Sequence, residues 1–300
     1  MGNPTTPSTR PFALRQLPWL LALLTLLACK PPPAEPPASL PGAASEPAAA
    51  VRALAQRLHD NDLAGFARTA VPAADYARLD SAWREGRSRW PLIELPLDEQ
   101  LLPLLQTLSA PGAEARLKQG FDRQLAHQDR DLRDAARNLG LFGVRYVQED
   151  AGLDEAQRKH AAAVIEALSD WGQRAPLGDP KRARAAIDRL CAAARRTGIR
   201  DDASLSATGM EQSLQKLGPF LAELKAVLAE HYGLALDDAL AQLQSGLQEQ
   251  HGDHATVQVR YPLARAQIET VATLERREGH WYLASQLRQA EALAAVTKAP

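Results

Sequence analysis

Ala255-Thr-Val-Gln-Val-Arg-Tyr-Pro-Leu263 is the stretch that decides the fold class, because apolar and polar residues alternate along it. The alternation places Val257, Val259 and Tyr261 on one side of an extended chain, as in a strand with one buried face. Two more segments of strand character follow after short turns, at 267–276 and 280–284. The sequence therefore predicts a three-stranded antiparallel β-meander near the C-terminus.

The preceding part of the chain, from residue 51 to residue 250, has a helical period instead. Val51, Leu54 and Leu58 begin a pattern of apolar side chains three or four residues apart, in segments rich in alanine and leucine. Amphipathic helices of this kind bury their apolar faces on one another. The expected fold class is mainly α: a helical bundle with a small C-terminal three-stranded antiparallel meander, and thus α+β overall.

Capping signals indicate where several helices begin and end. Asp154-Glu-Ala-Gln157 has capping-box spacing, and Asp179 before Pro180 is typical of a helix start. A second capping box is predicted at Thr208-Gly-Met-Glu211, and one more short helix is predicted over Leu236–Leu247. The expected helix ends are Gly198 and Gly233.

A long amphipathic run follows Gly112, with Leu117, Leu132 and Leu139 on its apolar side and charges of alternating sign on the other. The segment Leu141–Val147 is apolar enough for a strand or for the buried end of a helix. We favour the helix.

Composition argues against several classes of function. The chain has 35 Lys+Arg against 36 Asp+Glu, so it lacks the basic excess that drives nucleic-acid binding. It contains no phosphate-binding glycine loop, zincin motif, nucleophile elbow or Cys-x-x-Cys pair. We therefore expect neither a cofactor nor a common enzyme class. Cys191 lies in a helical run and is expected to be a buried, unreactive thiol.

The segment from Arg10 to Cys29 resembles the signal peptide of a bacterial lipoprotein. A basic start precedes an apolar run that ends in Leu26-Leu-Ala-Cys29, which is similar to a lipobox. The resemblance implies that Cys29 carries the lipid and anchors the chain to a membrane, with the chain facing the periplasm. Because Lys30, not aspartate, follows the cysteine, the resemblance further implies the outer membrane. The alternative is an ordinary signal peptide cut by the general peptidase.

These observations predict four parts of the chain. Residues 1–28 form the signal peptide, and residues 29–50 form a lipidated, Pro/Ala-rich tether of semi-rigid polyproline character. Residues 51–250 form the helical domain, and residues 251–300 form the meander and C-terminal tail, packed on the helices. Without residues 1–28 the chain keeps 33 basic and 36 acidic side chains, which gives a formal charge of −3.

A second resemblance rests on the two ends of the predicted domain. The helix, short acidic turn and second apolar turn over Val51–Phe66, with the closing Gly279-His-Trp-Tyr-Leu283, look like the nuclear-transport-factor-like α+β cone. That fold implies a concave sheet able to hold a small apolar molecule, here lined by Val257, Val259, Tyr261 and Trp281. The superfamily has no shared set of catalytic residues to carry over.

The densest group of metal-ligand side chains is His251-Gly-Asp-His254, just before the predicted first strand. Two imidazoles and the carboxylate of Asp253 offer three donors, but a polar turn explains the same residues. Three functions therefore stay open: a non-enzymatic lipoprotein that binds an envelope partner, a small-ligand module, and a hydrolase near His251 and His254. A packed sheet with an exposed apolar patch elsewhere favours the first of these.

Overall fold

The computed structural model of this chain describes residues 44–92 and 98–295. Within these ranges the chain forms twelve α-helices and one four-stranded antiparallel sheet, which confirms the mainly helical α+β class. The predicted signal peptide, Cys29 and most of the predicted tether lie outside the described residues. Within the described part, no helix is both long enough and apolar enough to cross a membrane.

The helices are α1 (Pro47–His59), α2 (Leu63–Ala70), α3 (Ala73–Arg84), α4 (Asp98–Ser109), α5 (Ala113–Gln124), α6 (Asp129–Glu149), α7 (Glu155–Arg174), α8 (Pro180–Thr197), α9 (Asp202–Thr208), α10 (Met210–Tyr232), α11 (Leu236–Ala241) and α12 (Ala284–Ala295). The strands are β1 (Gln244–His251), β2 (His254–Leu263), β3 (Ala266–Arg277) and β4 (His280–Leu283).

The sheet has four strands in the order β1-β2-β3-β4, so the prediction of three strands is wrong by one. The missed strand is β1, which occupies part of the helix predicted over Leu236–Leu247. β1 pairs with β2 alone, and nearly all its side chains are exposed. No buried face imposes an alternating pattern on it, so its sequence carries little strand signal. The predicted division between residues 250 and 251 falls at the end of β1.

The helical core is built around two tryptophans that are completely buried, Trp83 and Trp90. Each indole N–H has a partner: Trp83 Nε1 donates to the Leu205 carbonyl and Trp90 Nε1 donates to Gln286 Oε1, both at 3.0 Å. A buried indole contributes a large apolar area and needs such a partner for its N–H. The other large, fully buried side chains of this core include Leu79, Leu105, Met210 and Leu214.

One face of the sheet is covered by two helices at different ends. Val257 and Val259 of β2 and Trp281 of β4 pack against Ala50 and Val51 of α1. At the other end of the same face, Leu263 and Ile268 pack against Ala167 and its neighbours on α7. The alternation predicted for β2 is therefore confirmed, and its apolar side is covered by helices as expected.

Most of the predicted helix ends are confirmed. Asp154 accepts from Gln157 N in a complete capping box, and Asp179 caps α8 before Pro180. Both predicted glycine stops, Gly198 and Gly233, have left-handed backbone angles. The capping box predicted at Thr208 is wrong, because Thr208 ends α9 and its hydroxyl donates to the Ser204 carbonyl.

Candidate functional site

Helices α6 and α7 form an antiparallel hairpin whose two helices approach closely through small residues. A methyl group on Gly140 would lie 2.2 Å from Ser169 Oγ, and one on Gly172 would lie 3.1 Å from Ala136 Cβ. Ser169 Oγ also donates to the Ala136 carbonyl at 3.1 Å. This seam occupies one face of α6 and leaves the adjoining face free.

That adjoining face carries a row of large apolar side chains that no other described element covers. Leu139, Phe142 and Tyr146 are 70%, 69% and 63% exposed. Their spacing of three and four residues places them on one side of the helix, and the Phe142 and Tyr146 rings stack with centroids 6.5 Å apart. The sequence correctly predicts helix over Leu141–Val147, but its expectation of a buried helical end is wrong at Leu141 and Phe142.

A shallow apolar groove of about 380 Å³ runs beside this row, between α6 and α7. Leu132 and Leu139 line it from α6, Ile165 and Leu168 line it from α7, and Leu177 lies in the loop that follows. We call the row of Leu139, Phe142 and Tyr146 together with this groove the α6 apolar surface. It combines protruding side chains with an adjacent recess, as surfaces that bind other proteins often do.

The charges on α6 are balanced. Residues 129–149 contain four arginines and four acidic side chains. Arg137 pairs with Asp134 at 2.6 Å and Arg145 pairs with Glu149 at 3.0 Å, both within the helix. The apolar row is thus bordered by a neutral, mixed-charge rim, and the helix offers no net attraction to an anionic membrane.

The residues predicted to line a ligand site come together, but in a packed layer. Val257 has no exposed surface and Trp281 is 2% exposed, and both contact the helix α1 through the cluster that includes Val259. Tyr261 lies farther along the same face, where its hydroxyl is 2.7 Å from His160 Nε2 on α7. Side chains of the protein itself fill the space where a concave sheet would hold a ligand.

The group predicted as a weak metal candidate lies at the turn between β1 and β2. His251 pairs with Glu249 at 2.6 Å, and Asp253 pairs with Arg276 on β3 at 2.6 Å. His254 is exposed at the start of β2. Among the described residues, no three His, Cys, Asp or Glu side chains are grouped to hold a metal ion. Cys191 is buried, and burial raises the pKa of its thiol.

Sequence reasoning did not identify the α6 apolar surface. The signal was present in Gly140, Gly143 and Gly172, because small residues at helical spacing indicate where two helices approach closely. If the glycines of α6 face α7, then Leu139, Phe142 and Tyr146 lie on the adjoining side of α6.

Comparison of the chain with known protein families, with curated proteins and with solved structures found no significant match in any of the three. The resemblances to a lipoprotein leader and to the α+β cone therefore stay predictions.

Proposed function

We propose that this protein is a lipid-anchored periplasmic lipoprotein, attached through Cys29 to the bacterial outer membrane, that binds a protein partner and catalyses no reaction. The lipobox-like segment that ends at Cys29 supports the anchor, and the α6 apolar surface supports the binding of a partner. A helix face with three large apolar side chains, each more than 60% exposed, is costly to leave in water unless a partner covers it.

The charge of α6 favours a protein over the bilayer as the occupant. Interfacial helices that lie on anionic membranes are rich in lysine and arginine on their polar face. On α6 the four arginines are offset by four acidic residues. The stacked Phe142 and Tyr146 rings match the aromatic anchors common at the centres of protein interfaces.

The two alternative functions have less support. A small apolar ligand on the sheet face competes with α1, whose Ala50 and Val51 pack against Val257 and Trp281. A hydrolase near His251 and His254 lacks a converging set of groups, because His251 and Asp253 each pair with a different surface neighbour.

The proposal is tested by placing a photo-crosslinking amino acid at position 146 of the full chain in its native cells. We expect one discrete protein adduct, which the double substitution Leu139→Gln, Phe142→Gln removes. Glutamine keeps helix propensity while deleting the apolar contact. Leu104→Gln is the matched control, since Leu104 is 43% exposed on α4, and it should leave the adduct unchanged.

If only lipid adducts form, the α6 apolar surface binds the membrane and not a protein. If the adduct joins two copies of this chain, the partner is a second copy. A lack of adducts at position 146, with full-length protein present, contradicts the proposal outright.

A further inference from the structure

A second concave site adjoins the groove of the α6 apolar surface through Trp171, at the open end of the α6–α7 hairpin, and differs from it in character. It is an open cleft of about 430 Å³ formed by the ends of four elements. They are the C-terminal end of α7, the first turn of α8, the C-terminal end of α10 and the turn between β2 and β3. Its lining includes Trp171, Arg174, Arg182, His231, Tyr232 and Arg265.

Three arginines from three separate elements line this cleft, and their charges are only partly balanced. Arg174 has an ion pair with Asp170 that is long, at 3.9 Å. Arg182 is 3.5 Å from Asp179, which itself caps α8. Arg265 has no hydrogen bond or ion pair with any described residue.

One acidic side chain, Glu230, also lines the cleft. Glu230 pairs with Arg189 of α8, which also pairs with Glu223 at 2.5 Å. Arg189 therefore cannot neutralise both carboxylates. Within the lining itself there are three guanidinium groups and one carboxylate, and Arg265 is the guanidinium group among them without an ion pair to a described residue.

Some of the side chains that line the cleft have a structural role in the fold, and others do not. Arg182 donates to the His231 carbonyl at 2.9 Å and Trp171 Nε1 donates to the Tyr232 carbonyl at 2.8 Å, so both satisfy the last carbonyls of α10. Arg265 has no such structural task. It sits in a two-residue turn after Ala264, whose φ of 53° is unfavourable for a residue other than glycine.

One more polar group at the cleft lacks a partner. His231 Nε2 is buried and forms no hydrogen bond with the described residues. Such atoms are rare in folded proteins, and each calls for an explanation, such as strain or a bound water, ion or ligand.

We infer that this cleft binds a phosphate group, carried by a small anionic molecule or by a lipid headgroup. Guanidinium groups donate paired N–H bonds that match phosphate oxygens. Three guanidinium groups that line one cleft from different elements suit a tetrahedral anion with several acceptor oxygens better than a planar carboxylate. The apolar sides of Trp171 and Tyr232 would contact the organic part of the ligand.

The test is calorimetric titration of the full chain in non-ionic detergent at constant ionic strength. The probes are inorganic phosphate, glycerol 3-phosphate and short-chain phosphatidylglycerol, with chloride as the reference anion. We expect at least one of the three probes to bind. Arg265→Gln should weaken that binding by about tenfold, the loss expected for one charged hydrogen bond.

Arg174→Gln is the second variant and should give a loss of similar size, so the inference does not depend on the folding of one mutant. Arg196→Gln is the matched control, because Arg196 is exposed on the last turn of α8, about 20 Å from Arg182 along the helix. It should bind as the wild type does.

Binding of inorganic phosphate or glycerol 3-phosphate without the lipid identifies a soluble ligand, and binding of the lipid alone identifies a headgroup. No binding of any probe, or an equal loss in Arg196→Gln, overturns the inference. Neither result bears on the α6 apolar surface, which shares no arginine with this cleft.

Discussion

The contact between His160 and Tyr261 shows how burial alone changes the chemistry of two side chains. The tyrosine hydroxyl lies 2.7 Å from the imidazole Nε2, and the rings meet edge to face with centroids 6.0 Å apart. Burial lowers the pKa of His160 below its ordinary value of 6.5 and raises the pKa of Tyr261 to about 12. Both groups are therefore neutral in the folded protein at pH 7.

This pair predicts a loss of stability in acid. Because the pKa of His160 is lower in the folded than in the unfolded chain, the unfolded chain takes up the proton first as the pH falls below 6.5. The free energy of unfolding should therefore decrease from pH 7.5 to pH 5. In His160→Gln, which keeps a polar group near Tyr261, that decrease should be smaller.

Urea unfolding at several pH values measures the free energy of unfolding of both proteins. The contributions of all other titrating groups cancel in the difference between them. Parallel pH profiles for wild type and His160→Gln would contradict the assignment. His254→Gln is the control, since His254 is exposed, and it should follow the wild-type profile.

Residue-level prediction from the sequence succeeded where the partner is local. Asp154 and Gln157 are three residues apart, so their capping box is readable in one helical turn. Lys225 is the opposite case: it is 3% exposed, and its ammonium group donates to the Leu58 and His59 carbonyls at 2.9 and 3.0 Å. No local pattern indicates that this lysine of α10 would hold the end of α1.

At the scale of elements, the close approach of α6 and α7 predicts opposite effects for two Gly→Ala substitutions. In Gly140→Ala the new methyl group meets the Ser169 side chain, so the seam must open. We expect a cost of about 1–3 kcal/mol, as for other overpacked sites. In Gly120→Ala on α5 the methyl group meets nothing within 4 Å, so the better helix former should stabilise the protein by up to ~1 kcal/mol.

Hydrogen exchange of the α6 amides, together with the urea midpoint, measures both effects. Faster exchange in α6 is expected for Gly140→Ala alone. A Gly140→Ala protein as stable as the wild type, or more stable, would contradict the close packing of the seam.

Whole elements were predictable to the extent that they have a buried face. β2 lies between two strands with one side on the helices, and its alternation indicates the strand directly. β1 is a mostly exposed edge strand with a bulge between Leu247 and Glu249, so its pattern is lost. The candidate site was missed for a related reason. The seam between α6 and α7 is formed by glycines, and a hydrophobic pattern does not indicate where glycines bring two helices together.

At the scale of the molecule, the proposed lipid anchor predicts a clean difference between the wild type and Cys29→Ala. Each buried methylene of an acyl chain contributes about 0.8 kcal/mol to membrane binding, so several chains hold a protein firmly. We expect the wild-type mature chain to carry the mass of a diacylglyceryl and an acyl group and to fractionate with outer-membrane markers. Cys29→Ala should lose both properties.

Intact-mass measurement of the membrane fraction reads out both properties. A wild-type chain that is soluble and unmodified would contradict the anchor, and the protein would then have to reach its partner by diffusion.

The pairing of α1 with the sheet also fixes when the protein can finish folding. Trp281 N donates to the Ala44 carbonyl at 2.9 Å, and Arg52 donates to Ser245 Oγ, 193 residues away, at 2.9 Å. A chain made from its N-terminus exposes the sheet-facing side of α1 long before β4 exists. The first helix of the described part can therefore complete its packing only after β4 has been made, although its own residues are among the first of this part to be synthesised.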